Sequence, residues 1–264
     1  MALPLSVIMA VRDAEAWVSG AVDSILNQTY RDFEFIVVDD GSTDRTRALL
    51  DGQRDPRLTV LHRPRAGLTR SLNQAIQVAS APLLARMDAD DVALPERFER
   101  QLAFLAAHPD VGLLGTGCHE ISPSGEVLRT VSPLVEDAAI RRALIRANPF
   151  VHSSIVMRRE ALEKAGLYDE RFAVAQDYDL WMRMSRVTRM ANLSEPLVLR
   201  RVTPGMISRT RDTERLRTEL FVKRQALQSG AYPAWCAIYL VKPLLALAVP
   251  AGLRGLLRRG FALG

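Results

Sequence analysis

The feature that most limits what this chain can fold into is an alternation over residues 5–107. Short apolar runs end at polar turns, and each turn leads into an amphipathic stretch. Leu5–Val11, Phe33–Val38, Leu58–His62 and Leu83–Met87 are β-rich runs of a length that suits buried strands. The spacing predicts helices over about 14–28, from the turn after Asp39 to about Leu50, over 67–79 and over about 95–107. Asp13 is the expected cap of the first helix, with Trp17, Val18, Ala21 and Ile25 on one face; Pro95 is the expected first residue of the last. Leu68, Leu72, Ala75, Ile76 and Ala79 share a face of the third. Alternation of this kind predicts a parallel sheet covered on both faces. Ligands of such sheets bind beyond the carboxyl ends of the strands. Two acidic clusters, Asp39-Asp40-Gly41-Ser42-Thr43-Asp44 and Asp88-Ala89-Asp90-Asp91, stand at such ends.

After residue 110 the pattern is mixed. Val111–Glu120 and Glu126–Val131 read as strands joined by a Ser-Pro-Ser-Gly turn, Ser153–Met157 as another strand, and about 190–202 as extended. Helices are expected over about 136–147, 159–165, 176–186 and 212–229. No internal repeat and no linker cuts the chain, so the expectation is one α/β domain plus a C-terminal appendage beginning near 210.

The 264 residues suffice for such a domain, and 48% hydrophobic against 25% charged residues excludes a disordered or low-complexity chain. Residues 1–199 hold 23 Lys and Arg against 27 Asp and Glu, net −4, whereas 200–264 hold 12 against 3, net +9. This basic C-terminal quarter points to an anionic partner (a membrane surface, nucleic acid or phosphates) or to a solvated face. Cys118 and Cys236 make no disulfide framework and suit a reducing, cytoplasmic setting. The start, with no basic stretch before its apolar run, argues against a signal peptide. No stretch reaches the ~18 uninterrupted apolar residues of a membrane-spanning helix. Trp235–Val249 comes closest and is interrupted by Lys242 and Pro243.

Asp88, Asp90 and Asp91 crowd three carboxylates into four residues. Like charges this close raise one another's pKa, and a hard divalent cation relieves the cost. Mg²⁺ is often held by one or two carboxylates plus substrate phosphates, so the cluster reads as a metal–diphosphate site or as a solvated turn capping the next helix. Asp39 can accept from a nucleobase ring N–H while Ser42, Thr43 or Asp44 starts the helix, and Gly41 permits a positive φ or a close backbone approach. Asp177, in Gln176–Trp181, is a candidate general base and equally a helix cap. His152 reads as a substrate contact or a structural histidine. Arg63, Arg65 and Arg70 flank Gly67 and can reach a phosphate or stay on the surface. GxGxxG after the first strand, GxxxxGK[ST], HExxH, paired-cysteine zinc spacing and GxSxG are all missing from the sequence. Dinucleotide, phosphate-loop, zinc and hydrolase chemistries are therefore disfavoured.

Pro4–Arg12, Val37–Asp44, Asn73–Ile76, Met87–Asp91, Pro149–Ser154 and Gln176–Trp181, taken in that order, resemble the family 2 glycosyltransferases over about residues 4–208. Any one stretch is weak; six at fitting spacing are specific. The resemblance implies an A-type glycosyltransferase fold: a Rossmann-like nucleotide-diphosphate-sugar half over 1–110, an acceptor half over 111–210, a mixed central sheet flanked by helices, and a helical appendage over 211–264. It implies inverting transfer from a UDP- or dTDP-sugar to a hydroxyl of a glycan or lipid-linked acceptor, with Mg²⁺ or Mn²⁺, in bacterial cell-surface polysaccharide synthesis. Carried over residue by residue, Ala10 and Val11 line the nucleoside pocket and Asp39 accepts from N3–H of uracil or thymine. Asp91 is the first choice of metal ligand, with Asp90 or Asp88 on ribose or metal. Asp177 is the base, and Arg70 lies near a basic position used on the nucleotide. One departure stands in Arg201-Val-Thr-Pro-Gly-Met-Ile-Ser208, where Thr203 replaces a common histidine, so Arg200 or Arg201 must supply the charge.

No nucleic-acid partner is expected. Residues 231–264, with Trp235, Ile238, Tyr239, Leu240, Leu244, Leu245, Leu247, Arg254, Arg258 and Arg259, are expected at the inner face of the plasma membrane, or else packed on their own domain or on a second subunit in a homodimer. Two rival readings remain. A metal-dependent sugar nucleotidyltransferase needs a glycine-rich basic loop that Val11-Arg-Asp-Ala does not resemble. A non-catalytic nucleotide-sugar-binding module would bind without turnover.

Overall fold

The computed structural model describes residues 4–203, 205–206 and 210–249. Strands β1 (Leu5–Val11), β2 (Phe33–Asp40), β3 (Leu58–Arg63) and β4 (Leu83–Arg86) are parallel in the order β3-β2-β1-β4. The runs of β1, β2 and β4 are mainly apolar because a strand turns alternate residues to opposite faces and both faces are covered there, whereas β3, at the sheet edge, has no fully buried residue. Ile8, Ala10, Ile36, Val38 and Leu84 enter one core with Leu72, Ala75 and Ile76 of helix α3 (Leu68–Val78). Val7, Met9, Phe35, Val37 and Ala85 enter the other, with Val18, Val22 and Ile25 of α1 (Val18–Leu26), Leu50 of α2 (Thr46–Asp51) and Phe98 of α4 (Arg97–Ala107).

The sheet becomes mixed beyond β4. Strand β8 (Val156–Arg158) pairs antiparallel with β4 and with β6 (Val111–Ile121); β6 runs parallel to β9 (Arg189–Arg201). β5 (Val92–Ala93) is antiparallel to β9, and β7 (Val127–Val131) hangs off β6. Helices α5 (Asp137–Leu144), α6 (Arg159–Ala165) and α7 (Gln176–Met184) belong to this half. They are followed by α8 (Asp212–Gln228), a 3-10 segment over Ala234–Leu240 and α9 (Val241–Ala248). Val222, Ala226 and Cys236 join the core that holds Leu144 and Trp181, so the inner side of the C-terminal stretch packs on the body. Cys118 and Cys236 are buried and free. Among the described residues no helix is long and apolar enough to cross a membrane. Ser208, Arg254, Arg258 and Arg259 lie outside the described residues.

The helix expected to begin at Pro95 begins at Arg97, with Pro95 in the turn before it, and two further local expectations fail for identifiable reasons. The first helix begins at Val18 rather than near 14, and Asp13 does not cap it. Asp13 has φ +46° and its Oδ1 accepts from Thr43 N (2.7 Å) and Thr43 Oγ1 (3.2 Å), so it ties the β1 loop to the β2 loop. Ser153–Met157 is not one strand. His152–Ser154 forms a 3-10 turn and the strand is limited to Val156–Arg158. Ser154 Oγ donates to Val151 O (2.8 Å) and accepts from Thr116 N (3.0 Å), a side-chain alternative to ladder pairing.

Candidate active site

The parallel register sets Val11 beside Asp39 and Asp39 beside His62, so the strands end level and their loops open at one edge. A cleft of about 1060 Å³ lies there. Its wall includes Ala10, Val11, Arg12 and Trp17 after β1, Asp40 of β2, Arg65, Gly67 and Arg70 near the start of α3, Asp88 and Asp90 after β4, and Glu170, Thr203 and Arg211 opposite. Asp39 and Asp91 are not among the wall residues; both are buried.

Asp40 fastens the rim: its carboxylate accepts from Ala66 N (2.6 Å), Gly67 N (3.0 Å) and Ser71 Oγ (3.1 Å). Gly41 has φ +69°, and a Cβ there would stand 2.8 Å from Arg65 N, so both reasons for glycine apply. Asp39 accepts from Ser42 N (3.0 Å) and meets His62 Nδ1 at 2.9 Å, while His62 Nε2 meets Asp51 at 2.9 Å. Burial pushes the Asp39 pKa up, but the bonds from Ser42 and His62 outweigh it and the carboxylate stays below its usual range.

The second cluster is organised by an arginine. Arg86, 1% exposed at the end of β4, pairs with both oxygens of Asp88. Ser153 Oγ is within reach of Asp88 (2.8 Å) and Asp91, and Asp91 Oδ1 accepts from Arg201 N (2.7 Å). One carboxylate oxygen from each of Asp88, Asp90 and Asp91 lies within 4.8 Å of the others. Burial raises the Asp88 pKa, but Arg86 outweighs it and the net shift is downward. Burial, then the charges beside them, push Asp90 up to about 6 and Asp91 up to about 8. Burial and crowding disfavour the charged forms of these two carboxylates, a cost that a hard divalent ion such as Mg²⁺ or Mn²⁺ relieves on oxygen donors. The residues present therefore fit a divalent ion. Among the described residues no side-chain donor holds the Asp90 carboxylate, and Asp90 is the one of the raised pair in the cleft wall.

Asp177 sits in the first turn of α7, directly after Ala175 in a left-handed conformation (φ +58°). Asn148 Nδ2 donates to its Oδ2 (2.7 Å). Burial pushes the Asp177 pKa up; the Tyr178 backbone N–H, Arg86 and Asn148 oppose it. The Arg86 charge favours the ionised forms of both Asp177 and Asp88, and Asp177, like Asp39 and Asp91, is not among the cleft's wall residues. His152 Nε2 meets Tyr168 Oη at 2.7 Å and its ring packs edge-on to Trp181. Burial and Arg86 push the His152 pKa well down, so it is neutral and links the 3-10 turn to α7.

The remaining cations divide. Arg70 reaches across to Glu170 (3.0 Å), and Arg63 is exposed. Arg200 is paired with Glu120 (3.2 Å), and Arg201 donates to the carbonyls of Asp90, Ser122 and Pro123 (2.9, 3.0 and 2.9 Å). Both arginines named as stand-ins for the missing histidine are thus committed to the protein, and among the described residues Arg12, Arg65, Arg70 and Arg211 are the cations in the cleft wall. Arg86, Ser153 and Asn148 are additions to the residues singled out from sequence. Arg86 left a signal, a charge inside the apolar run Leu83–Met87 two residues before Asp88; Asn148 left none. Removing it with Asn148→Ala takes away a donor that favours the ionised carboxylate, so the acid limb of the pH–rate profile is expected to move to higher pH. A charged hydrogen bond of ~1.5–3 kcal/mol corresponds to roughly a 10–150-fold loss of turnover at neutral pH. Initial rates across pH 5–9 check it.

A mixed sheet with acidic strand ends around a nucleotide-sized cleft defines the class: an A-type glycosyltransferase fold. The family model for glycosyl transferase family 2 matches residues 6–166, and the chain belongs to that family. It is 30% identical over 254 residues to the putative glycosyltransferase EpsE of Bacillus subtilis, covering 94% of this chain and 90% of that one. It is 33% identical over 204 residues to the O-antigen biosynthesis glycosyltransferase WbnJ of Escherichia coli, covering 75% and 79%. Residues 1–349 of S. aureus TarS, solved with UDP-GlcNAc, share the fold with a TM-score of 0.71 at 20% identity, covering 92% of this chain and 72% of that one. Of the longer TarS chain it spans 39%. The mannosyltransferase PcManGT of Pyrobaculum calidifontis, solved with GDP-Man and Mn²⁺, gives 0.65 at 21% identity, covering 100% and 81%. At these identities the structural likeness carries the fold alone.

Proposed function

We propose that this glycosyltransferase moves a sugar from UDP or dTDP to a hydroxyl of a glycan or lipid-linked acceptor, inverting the anomeric centre, in polysaccharide synthesis on the cytoplasmic side. The supporting observation is that three carboxylates, Asp88, Asp90 and Asp91, converge after β4 with Asp88 and Asp90 in the cleft wall and Asp88 paired with Arg86. Asp90, with Asp91, would hold the divalent ion, and Asp88 is kept ionised by Arg86. When bound, the ion neutralises charge that builds on the leaving diphosphate. Ala10 and Val11 line the nucleoside end, Asp39 receives the ring N–H of the pyrimidine, and Arg70 assists at the phosphates. Asp177 takes the proton of the acceptor hydroxyl, whose oxygen attacks the anomeric carbon opposite the leaving group. One displacement inverts the centre without a covalent enzyme intermediate. We keep 1–210 as the catalytic domain and 211–264 as its appendage.

The name of WbnJ supports a polysaccharide product, and the TarS complex with UDP-GlcNAc supports the donor class. PcManGT takes GDP-Man on the same fold, so base choice is decided by assay. A panel of UDP-, dTDP- and GDP-sugars with Mn²⁺, scored for nucleotide release, tests the proposal; a preference for GDP-sugars rejects the Asp39 role. Formation of nucleotide-sugar from NTP and sugar phosphate would favour the nucleotidyltransferase, and UDP binding without turnover the binding module.

The metal makes its own prediction. Carboxyls raised to about 6 and about 8 favour the metal-free folded state at acid pH, and that stability is lost as pH climbs from the usual carboxylate range through 8. Mn²⁺ binds the ionised forms, so it is expected to release protons and to stabilise more at pH 8 than at pH 6. At one hundred times its Kd the gain is ~2.7 kcal/mol. Differential scanning fluorimetry at both pH values reads it, and Asp90→Ala should abolish the shift.

A further inference from the structure

The C-terminal stretch has one face packed and one face bare. Cys236 and Pro243 are buried and Tyr239 packs against the core, positions spaced as one side of a helix. The opposite side carries Trp235 (65% exposed), Ile238 (63%), Val241, Leu244 and Leu245 (65%), spaced mostly three residues apart and all exposed. A soluble monomer rarely leaves so large an apolar stripe uncovered.

What would cover it is indicated by charge. Residues 231–264 contain Lys242, Arg254, Arg258 and Arg259 and no carboxylate. Exposed Arg146 stands at the border between the two sides: its Nε donates to Tyr239 Oη (2.8 Å) and its guanidinium lies 5.2 Å from that ring, which in turn lies 6.3 Å from the exposed Trp235. Aromatic rings beside arginine and lysine, next to an aliphatic stripe, match the headgroup level of an anionic bilayer: apolar chains enter the acyl boundary and cations stay at the phosphates. A second copy of this chain would bring the same cations face to face.

We propose that the Trp235–Leu245 face docks on an anionic lipid surface and holds the enzyme flat on the membrane without crossing it. This stands apart from the transfer chemistry, because none of these residues lines the cleft.

Flotation of the full-length protein with phosphatidylglycerol-containing vesicles, with pure phosphatidylcholine vesicles and without vesicles tests it. Co-flotation with the anionic vesicles alone, lost above about 0.5 M salt, where screening is short-ranged, is expected. Trp235→Ser with Leu245→Ser should release the protein, and Lys242→Glu should weaken partitioning roughly fivefold or more, the worth of one cation near such a surface. UDP release from donor in vesicle-free buffer should be unchanged in these variants, which separates failure of docking from failure of the transferase reading. Equal recovery with both vesicle types, no flotation with either, or a dimer by light scattering that Trp235→Ser converts to monomer would overturn the proposal.

Discussion

Asp177→Asn is expected to lower sugar transfer by ~10²–10⁴-fold, the usual worth of general-base help, while leaving donor and metal binding in place. Asparagine keeps the shape of the side chain and its contact with Asn148 but cannot take a proton. Burial already holds the Asp177 pKa above the ordinary carboxylate range, so the wild-type rate should climb with pH through that raised value. The variant should lose this limb. Single-turnover transfer with UDP-sugar and Mn²⁺, alongside a UDP titration, separates the two properties. Near-wild-type turnover would remove Asp177 from the role.

Arg86→Met is expected to be the most destabilising change at the site. Arg86 is buried and paired with Asp88, whose side chain keeps 34% of its surface in solvent. Breaking a buried ion pair costs ~3–5 kcal/mol, and Asp88's partial hydration puts this case near the lower figure. For a chain of this size ~3 kcal/mol corresponds to a fall of roughly 6–12 °C in Tm. The three aspartates would then face one another without their internal cation, so added Mn²⁺ should recover more Tm in Arg86→Met than in the wild type. Calorimetry with and without Mn²⁺ reads both effects. An unchanged Tm would show that the acid cluster needs no internal cation.

The same residues show how far local pattern carries. Strands β1, β2 and β4 were legible because burial on both faces favours apolar runs, and the edge strand β3 because its run is short, apolar at Leu58, Val60 and Leu61, and bounded by polar residues. Acidic turns at their ends were legible because aspartate and glycine punctuate the chain there. Asp13 misled because a residue that caps a helix in one context can tie two loops in another, and its partner Thr43 is thirty residues away. The 3-10 turn at His152–Ser154 was read as strand because Ser154's bonds to Thr116 and Val151 depend on β6 being alongside.

Sequence alone therefore determined the alternating architecture, the end of the sheet where the cleft opens and the carboxylates near it, since these follow from periodicity and residue type over short stretches. Tertiary structure decided that Arg86 balances Asp88, that Asn148 holds Asp177, and that Arg200 and Arg201 are spent on Glu120 and on backbone carbonyls. Those are matters of distance between segments far apart along the chain. Coulomb and hydrogen-bond energies depend on that distance and on burial, neither of which a local pattern encodes.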